Sequence, residues 1–179
     1  MATLSTELVS NLDTVPAIMN DVGEAGGRVR ACIGNVSWVG TTLTTAADFM
    51  RICRLPSNAR IVDATFYNQT LDSGTSIVMD LGLAPIDSDA STGTHTFSSN
   101  CIGDGAAGFQ TETVGDATSG VDMCCVVAAD IPNYGKKLHT LAGDTTDPGG
   151  HYDLVMVAQV PAGSDATGNV AFRILYTVD

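Results

Sequence analysis

Aspartate and histidine are the side chains in this sequence whose chemistry would suit an active site. Three aspartates, Asp63, Asp72 and Asp80, lie within residues 55–83, a stretch with no histidine and no lysine. Paired carboxylates can hydrolyse glycosides, and the two groups need not be close in sequence. Each aspartate also has a structural place, because Asp63 and Asp80 occupy outward positions of predicted strands and Asp72 opens a tight Asp-Ser-Gly turn. The stretch is therefore interpreted as a β-hairpin of a scaffold.

The histidines show neither a metal-ligand spacing nor a nucleophile motif. His95, His139 and His151 lie far apart, and none stands beside a serine or cysteine in a known catalytic pattern. The sequence also contains no P-loop and no C-x-x-C pair. It therefore predicts neither an enzyme, nor a metal site, nor a bound cofactor.

Two pairs of aspartates are further candidates for cation binding. Asp87 with Asp89, and Asp144 with Asp147, supply oxygen atoms of the kind that calcium prefers. Neither pair has the spacing of an EF-hand, and aspartate is common in turns. Both pairs are interpreted as solvated turns.

Charge and length restrict the class of protein. The chain has 179 residues and a net charge of −12, which suits one acidic domain with a substantial core. The acidic excess falls on residues 61–172, and such a surface repels phosphate groups, so we expect no binding to nucleic acid. No run of about 18 apolar residues predicts a membrane helix, and the first residues do not resemble a signal peptide. The five cysteines are expected to be reduced, as in a protein made in a cytoplasm.

Alternating apolar and polar residues predict about eight strands and hardly a helix. Short strands joined by long loops favour an all-β fold, a jelly-roll-like antiparallel β-sandwich. Residues 85–120 are predicted to be a long loop region around one short element, because no period dominates there. The predicted strands cover residues 28–33, 35–39, 47–55, 59–71, 75–83, 121–130, 136–143, 151–160 and 169–178.

The strand patterns also predict which side chains share a face. Within residues 59–71, Val62, Ala64 and Phe66 are expected on one face. Within residues 75–83, the inward side chains are predicted to be Ile77, Met79, Leu81 and Leu83. Residues 47–55 are predicted to form a strand that is buried on both sides.

The first 27 residues are predicted to be an N-terminal arm, followed by the β-sandwich domain of residues 28–179. Leu4, Leu8 and Leu12 are spaced four apart, which fits a short amphipathic helix. An extended arm that lies on another surface is the alternative. Glycines at the end of the arm mark the start of the compact domain.

Five short segments in a fixed order resemble a known group of proteins. They are GGRVRA (26–31), ICRLP (52–56), ARIVDATF (59–66), LDSGT (71–75) and MDLGL (79–83). In this order, after an N-terminal arm, they resemble the small virion structural proteins of tailed bacteriophages, in particular capsid decoration (cement) proteins. The resemblance is a pattern of strands and turns, and it contains no catalytic signature.

The resemblance implies a non-enzymatic protein of the virion, made in the host cytoplasm and located on the capsid surface. A jelly-roll body would bind the major capsid protein from outside, with the arm lying across the shell. The chain would also contact copies of itself, as a homotrimer or a homodimer. The candidate residues for binding the capsid or a partner are Leu4, Leu8, Leu12, Val15, Ile18, Met19, Arg28 and Arg30.

Other functions fit the same strand pattern. A head fibre or a tail protein is the alternative within the virion. A carbohydrate-binding or polysaccharide-degrading jelly roll is less favoured, because ligand pockets are lined with aromatic side chains. The few aromatic residues of this chain fall mostly inside predicted strands.

Overall fold

The described residues of this computed structural model form eight strands and a few short helices. The structure describes residues 28–38, 49–69, 77–85, 98–110, 120–124, 126–161 and 168–178. The predicted arm of residues 1–27 lies outside them. The strands are β1 (Arg30–Trp38), β2 (Phe49–Pro56), β3 (Ala59–Asn68), β4 (Val78–Pro85), β5 (Ser98–Ala106), β6 (Val121–Asp122), β7 (His151–Val160) and β8 (Gly168–Val178).

The strands form two four-stranded sheets, with the orders β1-β8-β3-β6 and β2-β7-β4-β5. We call them sheet A and sheet B. Each strand pair in both sheets is antiparallel. The first strand pairs with the last, the second with the seventh, the third with the sixth, and the fourth with the fifth. A long hairpin wrapped into two sheets gives this pairing, which is a jelly roll, and the predicted fold class is confirmed.

The core lies between the two sheets and is filled by alternate side chains of the central strands. On β4, the predicted inward residues Met79, Leu81 and Leu83 are fully buried, as is Ile77 just before the strand. Phe66 of β3 is also fully buried. Its ring lies 6.1 Å from the ring of Phe109 in an edge-to-face arrangement and 6.3 Å from that of Phe172. Burial of these side chains supplies most of the stabilisation.

The face predicted for Val62 on β3 is wrong, because the strand contains a β-bulge at this residue. The pairing with β8 shifts between Ile61 and Asp63, so Val62 is the extra residue on the bulged strand. Val62 is consequently 38% exposed, whereas Ile61 takes the buried position and Ala64 stays in the core. Simple alternation cannot anticipate a bulge, because one inserted residue reverses the faces that precede it.

Two of the predicted strands are mostly absent, and short helices occupy part of each. Among the described residues of 121–130, the strand covers Val121–Asp122 alone, and a 3-10 helix follows at Ala128–Asn133. The Asp130 carboxylate accepts the Val127 amide hydrogen at 3.1 Å, and this local bond competes with strand pairing. Pro132 in addition lacks the N–H that a central strand needs. Here the prediction is wrong.

The predicted strand at 136–143 is wrong as well, because a short helix α1 (Leu138–Leu141) occupies it. Leu138 and Ala142 are buried on the same side, four residues apart. Gly143 ends the helix with φ of +96°, a conformation that favours glycine. No helix in the described part of the chain is long and apolar enough to cross a membrane.

Glycines in two of the strands are places of close packing. The two segments predicted on either side of Gly34 form the single strand β1, and a Cβ at Gly34 would lie 2.7 Å from the Phe172 ring. Strand β5 crosses the predicted loop region, and a Cβ at its Gly103 would lie 2.1 Å from the Met123 carbonyl oxygen. Such glycines weaken the sequence signal for a strand and allow the backbone to approach closely.

Strand β2 was predicted to be buried on both sides, but only one side is. Met50 and Leu55 are buried, whereas Phe49 is 42% exposed. A register shift between Arg51 and Cys53 turns the strand. Burial raises the pKa of the Cys53 thiol, and the neighbouring Cys32 thiol raises it further, so both sulfurs suit a packed core.

Candidate binding surface

The two outer faces of the sandwich differ in burial. Ala84, Val155 and Val157 point away from the main core on sheet B, yet they form a second buried cluster. Asp80 and Asp153 on the same sheet are also buried, each 4% exposed. The outer side of sheet B is therefore shielded from solvent around these residues.

The outer side of sheet A is open to solvent. On β1 the odd-numbered residues 31–37 are exposed, while Cys32 and Val36 pack against the core. Ile33 is 73% exposed. On β8 the outward residues Ala171 and Arg173 are exposed too. We call the outward side chains of β1, β8 and β3 the open face.

A polar network crosses the open face. Arg173 lies opposite Ile33 of β1 on one side and opposite Thr65 of β3 on the other. Its Nη2 atom is 3.0 Å from Asp63 Oδ2 and 3.2 Å from Thr65 Oγ1. The Thr65 hydroxyl in turn donates to Asp63 Oδ2 at 3.0 Å. The Asp63 carboxylate thus interacts with donors of its own sheet. Its outward position agrees with the one predicted from the sequence.

A second group of hydrogen bonds ties the far end of the open face. The Ser37 hydroxyl donates to Asn169 Oδ1 at 3.0 Å. The Asn169 backbone N–H donates to Gln69 Oε1 at 2.9 Å. These contacts link β1, β8 and the end of β3 through side chains, in addition to the backbone pairing of the sheet.

Strand β1 is the edge of sheet A. Arg30 is its first residue, and Arg28 lies two residues before it. Both arginines are exposed, and no hydrogen bond or ion pair engages their side chains within the described part of the chain. By contrast, Arg54 Nε lies 2.8 Å from Asp153 Oδ1, and Arg173 pairs with Asp63. The structure thus brings Arg28 and Arg30 to one edge. The other candidate residues, Leu4, Leu8, Leu12, Val15, Ile18 and Met19, lie outside the described residues.

A serine, a histidine and an aspartate meet near the turn between β2 and β3. The Ser57 hydroxyl donates to Asp147 Oδ1 at 2.6 Å, and His139 Nδ1 lies 3.2 Å from the Ser57 carbonyl oxygen. The serine proton points to the carboxylate rather than to the imidazole, so this order differs from that of a catalytic triad. Although partial burial opposes it, hydrogen bonds from Ser57 and Gly149 lower the pKa of Asp147. The group fastens α1 and the following turn to the sandwich.

The carboxylate of Asp144 has a structural partner as well. It accepts the Tyr152 hydroxyl proton at 2.5 Å. Burial raises the pKa of Tyr152, and Asp144 raises it further. Asp144 and Asp147 therefore serve hydrogen bonds within the fold, while Asp87 and Asp89 lie outside the described residues. Within the described ranges no three metal-ligating side chains are grouped so that they could hold an ion.

A small cavity lies where the segment of residues 133–136 meets the buried residues Ile61 and Ile102. It is lined by Ile61, Ile102, Tyr134 and Lys136, among others, and its volume is about 10 Å³. That volume holds about one water molecule, so this cavity is too small for a sugar ring.

The carboxylates of Asp80, Asp104 and Asp130 lie close enough to interact where β4 meets β5, a grouping that the sequence does not reveal because the three residues are far apart along the chain. Asp80 Oδ1 accepts the Gly105 N–H at 2.8 Å, and Asp130 Oδ2 lies 3.3 Å from the Asp104 backbone nitrogen. Burial raises the pKa of Asp80. The Gly105 bond opposes this rise, and the charges of Asp104 and Asp130 add to it. Asp80 does point away from the main core as predicted, but it is buried.

Replacing Asp80 with asparagine is expected to stabilise the protein at neutral pH. Asparagine keeps an acceptor for the Gly105 N–H and removes the repulsion between like charges. Loss of this repulsion should raise the free energy of unfolding by a few tenths to about 1 kcal/mol. Because the folded-state pKa is raised, the protonated Asp80 stabilises the fold below pH 3.8, and this contribution is lost as the pH rises through the folded value. Urea denaturation at about pH 7 and about pH 3 measures the effect. A gain of equal size at both pH values would contradict this assignment.

Comparison with known proteins adds two solved structures. One matched chain belongs to the Cyanophage Pam1 capsid asymmetric unit, with 19% identity, a TM-score of 0.51, and coverage of 93% of this chain and 97% of that one. The other belongs to the capsid of Ralstonia phage GP4, with 19% identity, a TM-score of 0.53, and coverage of 90% and 91%. The likeness spans nearly the full length of each chain and shows a shared fold. No family model and no curated protein matches the sequence.

Proposed function

We propose that this chain is a non-enzymatic structural protein of a phage virion, which binds the outer surface of the capsid as a decoration (cement) protein. The observation that carries the proposal is the shared fold: chains of two phage capsids match it over nine-tenths of their length. Coverage this high on both sides means that the matched chains are about as long as this one. The likeness is thus to small chains found in capsids, in agreement with the segments of the sequence that resemble decoration proteins.

The surface supports a role in binding another protein. The open face presents Ile33 at 73% exposure beside an arginine that is held in place by Asp63 and Thr65. Exposed apolar groups next to oriented polar groups are typical of protein interfaces. The carboxylates of Asp63, Asp80, Asp130, Asp144 and Asp147 accept hydrogen bonds within the fold.

The distribution of charge fits a particle surface. The net charge of −12 would repel free phosphate and would keep particles apart in solution. The arginines at the edge of sheet A are an exception to this acidity, and we place them toward the capsid. Many copies on a symmetric shell, as trimers or dimers, would then add to the strength of attachment.

The N-terminal arm is the second part of the proposed attachment. We assign capsid contacts to its apolar residues Leu4, Leu8, Leu12, Val15, Ile18 and Met19. A segment that becomes ordered on binding loses conformational entropy, and it offsets this loss by contact over a large area. The arm and the body then act as two linked binding sites, so the loss of either one weakens attachment strongly.

Deleting residues 1–24 is expected to lower the affinity for undecorated capsids about tenfold or more, because linked contacts raise overall binding well above that of one site. The measurement is co-sedimentation of the purified chain with capsids that lack decoration. The sandwich begins after the deletion, so the thermal unfolding of the truncated chain serves as the control for folding. Unchanged binding by the truncated chain would refute the role of the arm.

A head fibre or a tail component remains the rival within the virion, and the same material separates the possibilities. A decoration protein binds the capsid shell over its whole surface and raises the temperature at which the capsid releases its DNA. A fibre or tail protein would bind at a few sites without that stabilisation. Binding with no gain in capsid stability would therefore count against the cement role.

A further inference from the structure

The four edges of the two sheets are not equally protected against pairing with another chain. Edge strands usually carry a bulge, a proline, a lysine or a very short length, and each of these discourages further pairing. Strand β2 has a register shift and Pro56. Strand β5 has shifted pairings, and β6 is two residues long.

Strand β1 has none of these devices. It spans nine residues without proline or lysine. Its pairing with β8 runs from Arg30 opposite Tyr176 to Trp38 opposite Gly168 without a shift. Ile33 is 73% exposed and Val29 is 54% exposed, so solvent reaches these side chains along the edge. A regular exposed edge of this length is a template for an added strand.

The charges of this edge select the kind of strand that would add to it. Arg30 begins β1 and Arg28 lies two residues before it, so an added strand that extends the pairing to residue 28 would place both side chains on the same side. Neither side chain has a partner among the described residues, although the whole chain has 20 acidic and 8 basic residues. A further copy of so acidic a protein is repelled over most of its surface. A segment of another protein with carboxylates at matching positions is attracted.

We propose that β1 pairs with an extended, acidic segment of the neighbouring shell protein, which would become a fifth strand of sheet A. In an antiparallel partner, two carboxylates two residues apart would lie opposite Arg28 and Arg30. An apolar residue three positions before the first of them would lie opposite Ile33. The main-chain hydrogen bonds of the edge supply affinity, and the two ion pairs with the apolar contact supply specificity. The inference rests on the proposed function and names the surface and the partner chemistry that it uses.

Charge reversal tests the partner's chemistry. The double variant R28E/R30E is expected to weaken binding to undecorated capsids about tenfold or more, as expected from the loss of two charge-assisted contacts. The matched control K136E/K137E has the same net charge and leaves the β1 edge intact, so it is expected to bind like the wild type. R28E/R30E should melt like the wild type, because Arg28 and Arg30 are exposed. The melting temperature of K136E/K137E is measured as well, because Lys136 donates a hydrogen bond to Asn133, and binding is compared at a temperature at which both variants are folded. Equal binding by the two double variants would overturn the inference.

Hydrogen exchange tests the added strand itself. The amides of residues 28–38 of the wild-type chain are expected to exchange more slowly on the capsid than in free solution. A second variant, I33K, places a lysine on the edge and should weaken binding, whereas I131K, at a site 63% exposed in the wild type and away from the edge, should not. Unchanged exchange in β1 on the particle would refute strand addition even if the arginines matter.

The outcomes keep this inference apart from the proposed function. If the wild type does not bind capsids, the proposed decoration role and the β1 pairing are both wrong. If the wild type and R28E/R30E bind equally, the decoration role stands and the β1 pairing is wrong. If R28E/R30E instead separates copies of this chain from one another and leaves capsid binding unchanged, then the partner of β1 is a second copy, and the acidic shell segment is refuted.

Discussion

Replacing Phe66 with alanine is expected to lower the free energy of unfolding by about 3–5 kcal/mol, the usual cost of removing a buried aromatic ring. Phe66 is fully buried, and its ring contacts those of Phe109 and Phe172 at centroid distances of 6.1 and 6.3 Å. The three rings join β3, β8 and the segment after β5, so the remaining cavity cannot close without moving all of them. Equilibrium denaturation in urea measures the loss.

The control for this substitution lies on the same strand. Val62 sits on the bulge and is 38% exposed, so changing it to alanine should cost about 1 kcal/mol or less. A loss at Phe66 no greater than the loss at Val62 would show that the sheets do not pack around Phe66 as described.

Replacing Gly82 with alanine is the second change with a large expected effect, a loss of about 3 kcal/mol from overpacking. A Cβ at this position would lie 2.1 Å from the Ser98 carbonyl oxygen and 2.3 Å from that of Ser99. Both atoms belong to the backbone of β5, which can yield only if its pairing with β4 is disturbed. Thermal or urea denaturation of the variant measures the cost.

Gly34 provides the matched comparison, because it too lies within a strand. There the added Cβ would lie 2.7 Å from the end of the Phe172 ring, and a side chain can shift more easily than a backbone. We expect the alanine variant at Gly34 to lose less stability than the one at Gly82. The reverse order would contradict the close approach of β5 to β4.

The sequence predicted the fold where local pattern and tertiary structure agree. Ile77, Met79, Leu81 and Leu83 recur at every second position, and each is fully buried as predicted. The clear alternation of the last two strands likewise corresponds to β7 and β8. Strands β4, β7 and β8 each lie between two other strands of their sheet. In all three, composition and period point to the same structure.

The errors have identifiable physical causes. The bulge at Val62 inserts a residue that no periodic pattern encodes. Asp130 and Pro132 turn an apolar segment into a 3-10 helix through a side-chain hydrogen bond and a missing N–H. Glycines at positions 34 and 103 lie in strands because another part of the chain comes close, and that is a property of the folded structure alone.

The candidate surface was predictable only in part. The basic character of Arg28 and Arg30 is visible in the sequence as an exception to strong acidity. Their position on an unprotected edge is not visible in the sequence, because it depends on which strands lie at the edges of each sheet. The difference between the open side of sheet A and the shielded side of sheet B arises from tertiary packing. No local sequence pattern near Ile33 or Val155 predicts it.

The central claim is that this chain decorates the outside of a phage capsid. The most direct test is electron cryomicroscopy of the phage particle that contains it, at a resolution that separates β-strands. We predict a jelly roll on the outer surface of the shell, repeated over its symmetry-related sites, with the β1 edge of sheet A against the shell protein. The same jelly roll found only in the tail or at isolated fibres, or no such density on the shell, would contradict the account.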